Sequence, residues 1–588
     1  MRAETKVPIL FVGVSGIFLS CAFAIRFVGG AQGYPDFYGH VDEIGVSASI
    51  WNFFREGTLR PTEFTYPALF QYLVAVVIWA LGWMVVPEME GYIKGLAVLS
   101  YADPAFAAVI GRAISATTST MSLLLILMWG TDLSGRRVGL LAMALASVAL
   151  IPVQQAHNAL PDSTMAFYAT ACMYLSWRLH ETGSWKAYLG AGACAGLVIA
   201  TKFNGAFVSF GVVAAHVLRC RGLGNSMVST VLNRRLLATV TIAILSLVFS
   251  NPYLVFDYKQ YLSIAAYQVS SLDFDMGQSM PWIWIPLNFI KGELGIGVLF
   301  CAAIAYAFVK RDTQNWIFLA GWIPSFFYIG SWTRESLHYL LHFYPIMALL
   351  AALLIDRAID LRHISVSSLY GGRRIRVVII VFCAVAILTN SYKAIGHSQY
   401  LMRTDTRKLA ADWIRGNLPD GTTIAMTWLP YCPRLDIARA RADILRYFRN
   451  DPDVVEYLQR LWLSRPAYQL ANLEIRYRQA MVPEQLRDSV DLQDPATRSV
   501  FSRGWRSSRD LIELGVEYVI LPDAVFQRYL RTEPPPTGTA AHFRYQTNLQ
   551  YFQHLTGSTS DFELAKSVVE IPGRTRGAAV HIYRMRPS

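Results

Sequence analysis

Several ionisable residues stand at the ends of long apolar runs in this 588-residue chain. Asp42 and Glu43 lie in GHVDEIG, Asp162 in QAHNALPD and Lys202 in ATKFNG. Arg334, Glu335, His338 and Tyr339 lie in WTRESLHYLLHFYP. A carboxylate set among aromatic residues at a membrane boundary is desolvated. Desolvation raises its pKa and suits it to act as a general base or a metal ligand. A lysine or arginine on the same side is suited to clamp a phosphate. Two of these positions carry a second reading. Asp162 is also placed to cap the helix that opens at Pro-Asp-Ser-Thr, and Lys202 to snorkel to the interface. His338 and His342 fall one helical turn apart, a spacing that suits a metal pair, with no third ligand evident. Asp42, Asp162 and His338 are the candidates if a divalent metal is bound.

The elements that must position these residues are apolar. The chain is 54% hydrophobic and only 16% charged, against about 25% charged in an ordinary soluble domain. Up to about Asn390 it is a succession of apolar runs; beyond that it reads as a globular domain. The formal charge of +12 sits mostly in short loops between the runs, as in a membrane protein, so nucleic acid is not the partner it implies. The seven cysteines match no metal-site spacing, and the tail holds only Cys432, so cysteine usage is silent on redox compartment. The N-terminal stretch resembles a signal peptide, but Val7 to Ala24 is long enough to read as the first spanning helix.

A spanning helix needs roughly 20 apolar residues. Candidate spans lie near 8–28, 105–129, 138–154, 163–179, 186–201, 203–218, 235–250, 286–309, 314–331, 339–356 and 375–392, about eleven in all. One further run, 68–86, decides the topology. If it does not cross, the loops holding Arg136, Arg178, Arg219, Lys310 and Arg373 all fall on the side of Arg2 and Lys6, as the positive-inside rule requires. It is therefore read as a helix on the outer membrane surface. The N-terminus is then cytoplasmic, and every candidate site residue lies on the outer face. A lysine at midmembrane costs about 2.5–3.5 kcal/mol on insertion scales; at the outer boundary Lys202 avoids that cost.

Residues 1–392 thus form an α-helical polytopic membrane domain, with an outer loop bearing surface helices over 29–104. Residues 393–588 form a soluble extracytoplasmic α/β or α+β domain. It opens on a helical pattern, DTRKLAADWIRGNLPDG. Strand-like TTIAMTWLP, LGVEYVILPD and AAVHIYRMR follow by alternation and β-branching.

The order of these motifs resembles the GT-C superfamily of polyprenyl-phosphate-sugar-dependent glycosyltransferases. It is similar to the group with protein O-mannosyltransferases and lipid A aminoarabinose transferases. HVDE after the first span, YPALFQYL, SGRRVGLLAMALA, HNALPDSTMAFY, GLVIATKFNGAF and SLHYLLHFYPIMALL carry the resemblance over roughly residues 1–430. Ala68 stands where the family usually has a second proline.

The resemblance implies transfer of a sugar, with inversion, from a polyprenyl-phosphate donor to an extracytoplasmic hydroxyl on a lipid, glycan or protein. It implies that Asp42, with Glu43 and Asp162, is catalytic. It implies that Tyr66, Lys202, Arg334, His338 and Tyr339 bind substrate, and that the chain sits in a bacterial inner membrane. It implies no particular cofactor and leaves a divalent metal open. The alternative is a transporter or flippase of a lipid-linked or anionic substrate. Against it, no internal repeat is found and the charges cluster at one edge rather than at the midplane.

Overall fold

The computed structural model of the protein describes residues 9–34, 38–85, 92–272, 280–310, 312–332, 335–360, 369–427, 430–476, 503–531, 534, 537 and 540–586. The first half is helical: α1 (Ile9–Phe27), α2 (Glu43–Glu56), α3 (Leu69–Val85), α4 (Tyr92–Ala102), α5 (Phe106–Ser134), α6 (Arg136–Val148), α7 (Leu150–Ala156), α8 (Asp162–Thr182) and α9 (Trp185–Thr201). Among the described residues, seven helices are long and apolar enough to cross a membrane, or eight if α6 and α7, bent by 62°, count as one. The remaining expected spans are helices as well (α8, α9 and Thr313–Gly330) but fall below that standard of length and apolarity. Their polar residues turn towards protein. Ser163, Thr164, Thr170 and Ser176 of α8 are all buried. The hydroxyls of Thr170 and Ser176 donate to carbonyls one turn back. Small residues let helices approach closely: a Cβ on Gly192 or Gly196 of α9 would strike backbone of Arg234–Ser250.

α2, α3 and α4 pack on one another around Ile50, Trp51, Phe70, Val74, Ile78 and Leu96. α3 is apolar but shorter than the helices long enough to cross a membrane. α4 meets the soluble domain. Lys94 pairs with Asp451, and Val98 packs with Phe448, Val454, Leu458 and Trp462. The last bundle helix, Leu369–Leu401, runs on past the expected boundary at 392.

The soluble domain contains strands β1 (Thr404–Asp405), β2 (Thr423–Met426), β3 (Gln469–Asn472), β4 (Glu474–Arg476), β5 (Arg503–Trp505), β6 (Tyr518–Pro522), β7 (Phe562–Val568), β8 (Thr575–Arg576) and β9 (Val580–Met585). Its main sheet has the order β3-β2-β6-β9-β7, with β2 parallel to β3 and β6, and β9 antiparallel to its neighbours. Ile424, Ala425, Val519, Ile520 and Leu521 are fully buried, as central strands covered on both faces must be. The helical pattern and all three strand patterns expected here are formed. Together with the spans, they make a helical membrane protein with a C-terminal α/β domain.

Candidate active site

Asp42 and Glu43 are adjacent but lead different lives. Glu43, 0% exposed, accepts from Arg112 on α5 through two bonds of 2.9 and 2.6 Å. It also accepts from the N–H groups of Gly39 (2.8 Å), His40 (3.1 Å) and Ala159 (2.7 Å). Burial pushes its pKa up, but Arg112 and these N–H groups outweigh burial and hold it below the ordinary carboxylate value. Glu43 is thus committed to joining the loop before α2 that carries Asp42 (the first acidic loop), α5, and the loop before α8 that leads to Asp162 (the second). Asp42 stays open, with its side chain 43% exposed. Its Oδ2 accepts from the Tyr66 hydroxyl at 3.1 Å and lies 3.9 Å from Nδ1 of His40.

The second loop is held by its backbone. The His157 ring bonds to the carbonyls of Val153 (2.8 Å) and Val28 (2.9 Å), and Ser115 donates to Leu160 O (3.3 Å). Pro161 occupies the N-cap of α8 without a side-chain bond, and Asp162 follows as the first helical residue. The Asp162 carboxylate meets a charge: Oδ1 accepts from Lys202 Nζ at 2.8 Å, the two side chains being 1% and 9% exposed.

Lys202 sits where α9 breaks into a 3-10 turn, Phe203–Val208, and its backbone is extended there. Its ammonium lies 5.1 Å from the Tyr66 ring centre and 5.6 Å from that of Tyr339, within cation–π range. Tyr66 therefore links the two acids, donating to Asp42 while its ring faces Lys202. Burial, then the Asp42 charge, push the Tyr66 pKa well above its ordinary value, so its hydroxyl remains a proton donor. Tyr339 is fixed by Asn204, which donates to its carbonyl at 2.8 Å.

The expectation of a histidine pair does not survive the local geometry. Leu337–Phe343 is a 3-10 helix, with about three residues per turn, so residues four apart do not share a face. His342 is buried with neither ring nitrogen bonded, while His338 meets Ser336 at 2.5 Å. Among the described residues no three His, Cys, Asp or Glu side chains are grouped to hold a metal ion, and Asp162 is already engaged by Lys202. Arg334 lies outside the described residues.

The fold was then compared with known proteins. The archaeal oligosaccharyltransferase of Archaeoglobus fulgidus, tethered to an acceptor peptide with the NVT sequon, superposes with a TM-score of 0.50 at 13% identity, covering 97% of this chain and 74% of that one. Its apo form gives 0.50 at 14% identity, covering 88% and 70%. The chain has the GT-C fold. ArnT from Cupriavidus metallidurans bound to undecaprenyl phosphate gives 0.48 at 14% identity, over 79% of this chain and 92% of that one. Within the GT-C region, residues 86–251 match the family described as dolichyl-phosphate-mannose-protein mannosyltransferase. No curated protein matches in sequence.

Several residues that support this candidate site were not singled out from sequence: Arg112, His157, Arg26 and Glu293. The last two hold the bend between α6 and α7. Arg26 donates to the carbonyls of Ala146 (3.2 Å) and Ser147 (2.8 Å), where α6 ends. Glu293 accepts from the N–H groups of Leu150 (2.6 Å) and Ile151 (2.8 Å), where α7 begins. A cation at a helix C-terminus and a carboxyl acceptor at the next N-terminus satisfy orphan groups of both ends. The signal was available, since a charge inside an apolar run is a functional candidate by default.

Proposed function

We propose that the chain transfers a sugar, with inversion, from a polyprenyl-phosphate donor to a hydroxyl on an extracytoplasmic lipid, glycan or protein. The observation that carries this reading is the convergence of an open carboxylate and a buried cation on one tyrosine. Asp42 accepts from Tyr66, whose ring faces Lys202. Asp42 takes the proton of the acceptor hydroxyl as its oxygen attacks the anomeric carbon. The bond from that carbon to the phosphate oxygen breaks with its electron pair, and the leaving lipid phosphate gains one negative charge. Lys202 keeps two N–H donors beyond the one given to Asp162, and these stabilise that charge. Tyr66 and Tyr339 orient the donor, with His338 beside Tyr339 at 4.1 Å between ring centres; Arg334 is assigned to the same phosphate. Glu43 acts as a positioning residue. Asp162 holds Lys202.

The site opens on the outer face of a bacterial inner membrane, with the N-terminus cytoplasmic and the α/β domain outside. The packing of α3 along α2, and of α4 against the soluble domain, supports 68–86 as a surface helix.

The reading is tested in membranes supplied with polyprenyl-phosphate mannose or aminoarabinose, with membranes from cells lacking the gene as acceptor. Asp42→Asn is expected to slow transfer about 100- to 10,000-fold, and Lys202→Ala to slow it as well. Unchanged transfer in both variants overturns the assignment.

A further inference from the structure

The soluble domain reaches the turn after α1, which braces both acidic loops, through the side chain of Arg576. β8 pairs in parallel with β1. The turn after it is fastened by the Gly577 N–H, which donates to the Tyr400 hydroxyl (3.1 Å), and by Thr406 Oγ1, which donates to Ala578 O (2.6 Å). From the end of β8, just before this turn, the Arg576 side chain, 7% exposed, donates to Gln32 Oε1 at 2.9 Å and lies 3.3 Å from Asp405 Oδ2. Gln32 is itself buried, in the turn that follows α1. Its side-chain amide donates to His157 O at 3.2 Å, and its carbonyl accepts from Arg112 at 2.7 Å. The first acidic loop presses on the same group. A Cβ on Gly39 would lie 2.7 Å from Gln32 Cδ and 2.9 Å from Arg112 Nη2. The Gln32 side-chain amide thus joins the soluble domain to the loop that carries Asp162, while the main-chain carbonyl of the same residue holds the arginine that fixes Glu43.

A contact needed only to attach a domain does not call for a buried guanidinium, because desolvating an ion is costly and an apolar pair serves as well. A planar fork of donors does fix direction and register. We infer that Arg576 is a positioning residue for sugar transfer: through Gln32 it sets the relative placement of the Asp42 and Asp162 loops, so that the soluble domain completes the site. This rests on the transferase reading above. The consequence is that an acceptor which moves the soluble domain moves both acids together.

The test is a double-mutant cycle of Arg576→Ala and Gln32→Ala in the full chain in lipid nanodiscs. The donor is whichever of polyprenyl-phosphate mannose or aminoarabinose the wild type uses. Each single variant is expected to lower kcat about 10- to 100-fold, the scale of a small misplacement of reacting groups, with donor KM within about twofold of wild type. The double variant is expected to be no slower than the slower single, and Arg576→Lys to recover part of the rate. Independently of activity, hydrogen exchange at the amides of Gly39, His40 and Ala159 is expected to rise in Arg576→Ala, while β6 stays protected. Should Arg576→Ala lose the protection of β6, Arg576→Met, which keeps the length of the side chain, takes its place. Wild-type kcat, losses that multiply in the double variant, or unchanged exchange at those three amides each overturn the inference. Asp42→Asn run alongside separates the two readings. Transfer that survives it removes the transferase site, whereas the exchange measurement still reports on the strut.

Discussion

In the helical bundle the side chains of Arg112 and Glu43 are 2% and 0% exposed; in the soluble domain those of Arg509 and Glu513 are 88% and 63% exposed. Both are ion pairs of similar length, at 2.6 and 2.9 Å. They differ in what surrounds them. The exposed pair exchanges water for a partner at little gain. The buried pair has no water to return to, so removing either partner strands a charge. The comparison extends to the other bundle charges: Lys202 is met by Asp162, Arg26 by carbonyls and Glu293 by N–H groups. Each stands where regular helix stops. Buried charge in this membrane domain marks the joints that hold the site, whereas charge on the soluble domain mostly solvates it.

The sharpest way to break that contrast is Arg112→Ala. It leaves Glu43 buried and unpaired, and is expected to cost about 3–5 kcal/mol, read as lower resistance to thermal unfolding in detergent. Adding Glu43→Gln to it is expected to recover part of the loss, because the stranded charge is gone. The pH dependence has a definite sign. The folded pKa of Glu43 is depressed, so the stabilisation is complete above the ordinary value of 4.5 and fades as pH falls through the lower folded value. Equal losses in the single and double variants would show that geometry, not charge, holds the joint.

A smaller effect is expected at the bend. Glu293→Ala leaves the N–H groups of Leu150 and Ile151 without their acceptor, at a cost of about 1–3 kcal/mol for buried donors left unsatisfied. Unfolding in detergent measures it. A loss as large as that from Arg112→Ala would mean that the bend, rather than the Glu43 joint, is the main support of the second loop.

These joints explain what was legible from sequence. Asp162 and Lys202, which meet in the structure, stood out as candidates because each ends an apolar run, and Asp42 because it lies just beyond the first one at the start of a helical segment. The strands of the soluble domain could be found because β-branched alternation is local. The histidine pair went astray because an α-helical period was assumed where the chain forms a 3-10 turn. Glu43 was grouped with Asp42 because adjacency says nothing about which way a side chain turns. Gln32 and Arg576 carried no local signal. They are 544 positions apart, and neither residue type is unusual where it stands.

The least effect is expected at Arg509→Ala. The pair lies at positions i and i+4 of the short helix Ser508–Glu513, with arginine on the N-terminal side. That is the weaker orientation, since acid before base suits the helix dipole better. The capping box of Ser507 and Asp510 already secures the first turn of that helix. Arg509→Ala is therefore expected to leave both unfolding and the proposed sugar transfer indistinguishable from wild type, at low and high salt alike. A salt-sensitive loss of stability would show that exposure is not what separates the two pairs. The soluble domain would then depend on its surface charges as the bundle depends on its buried ones.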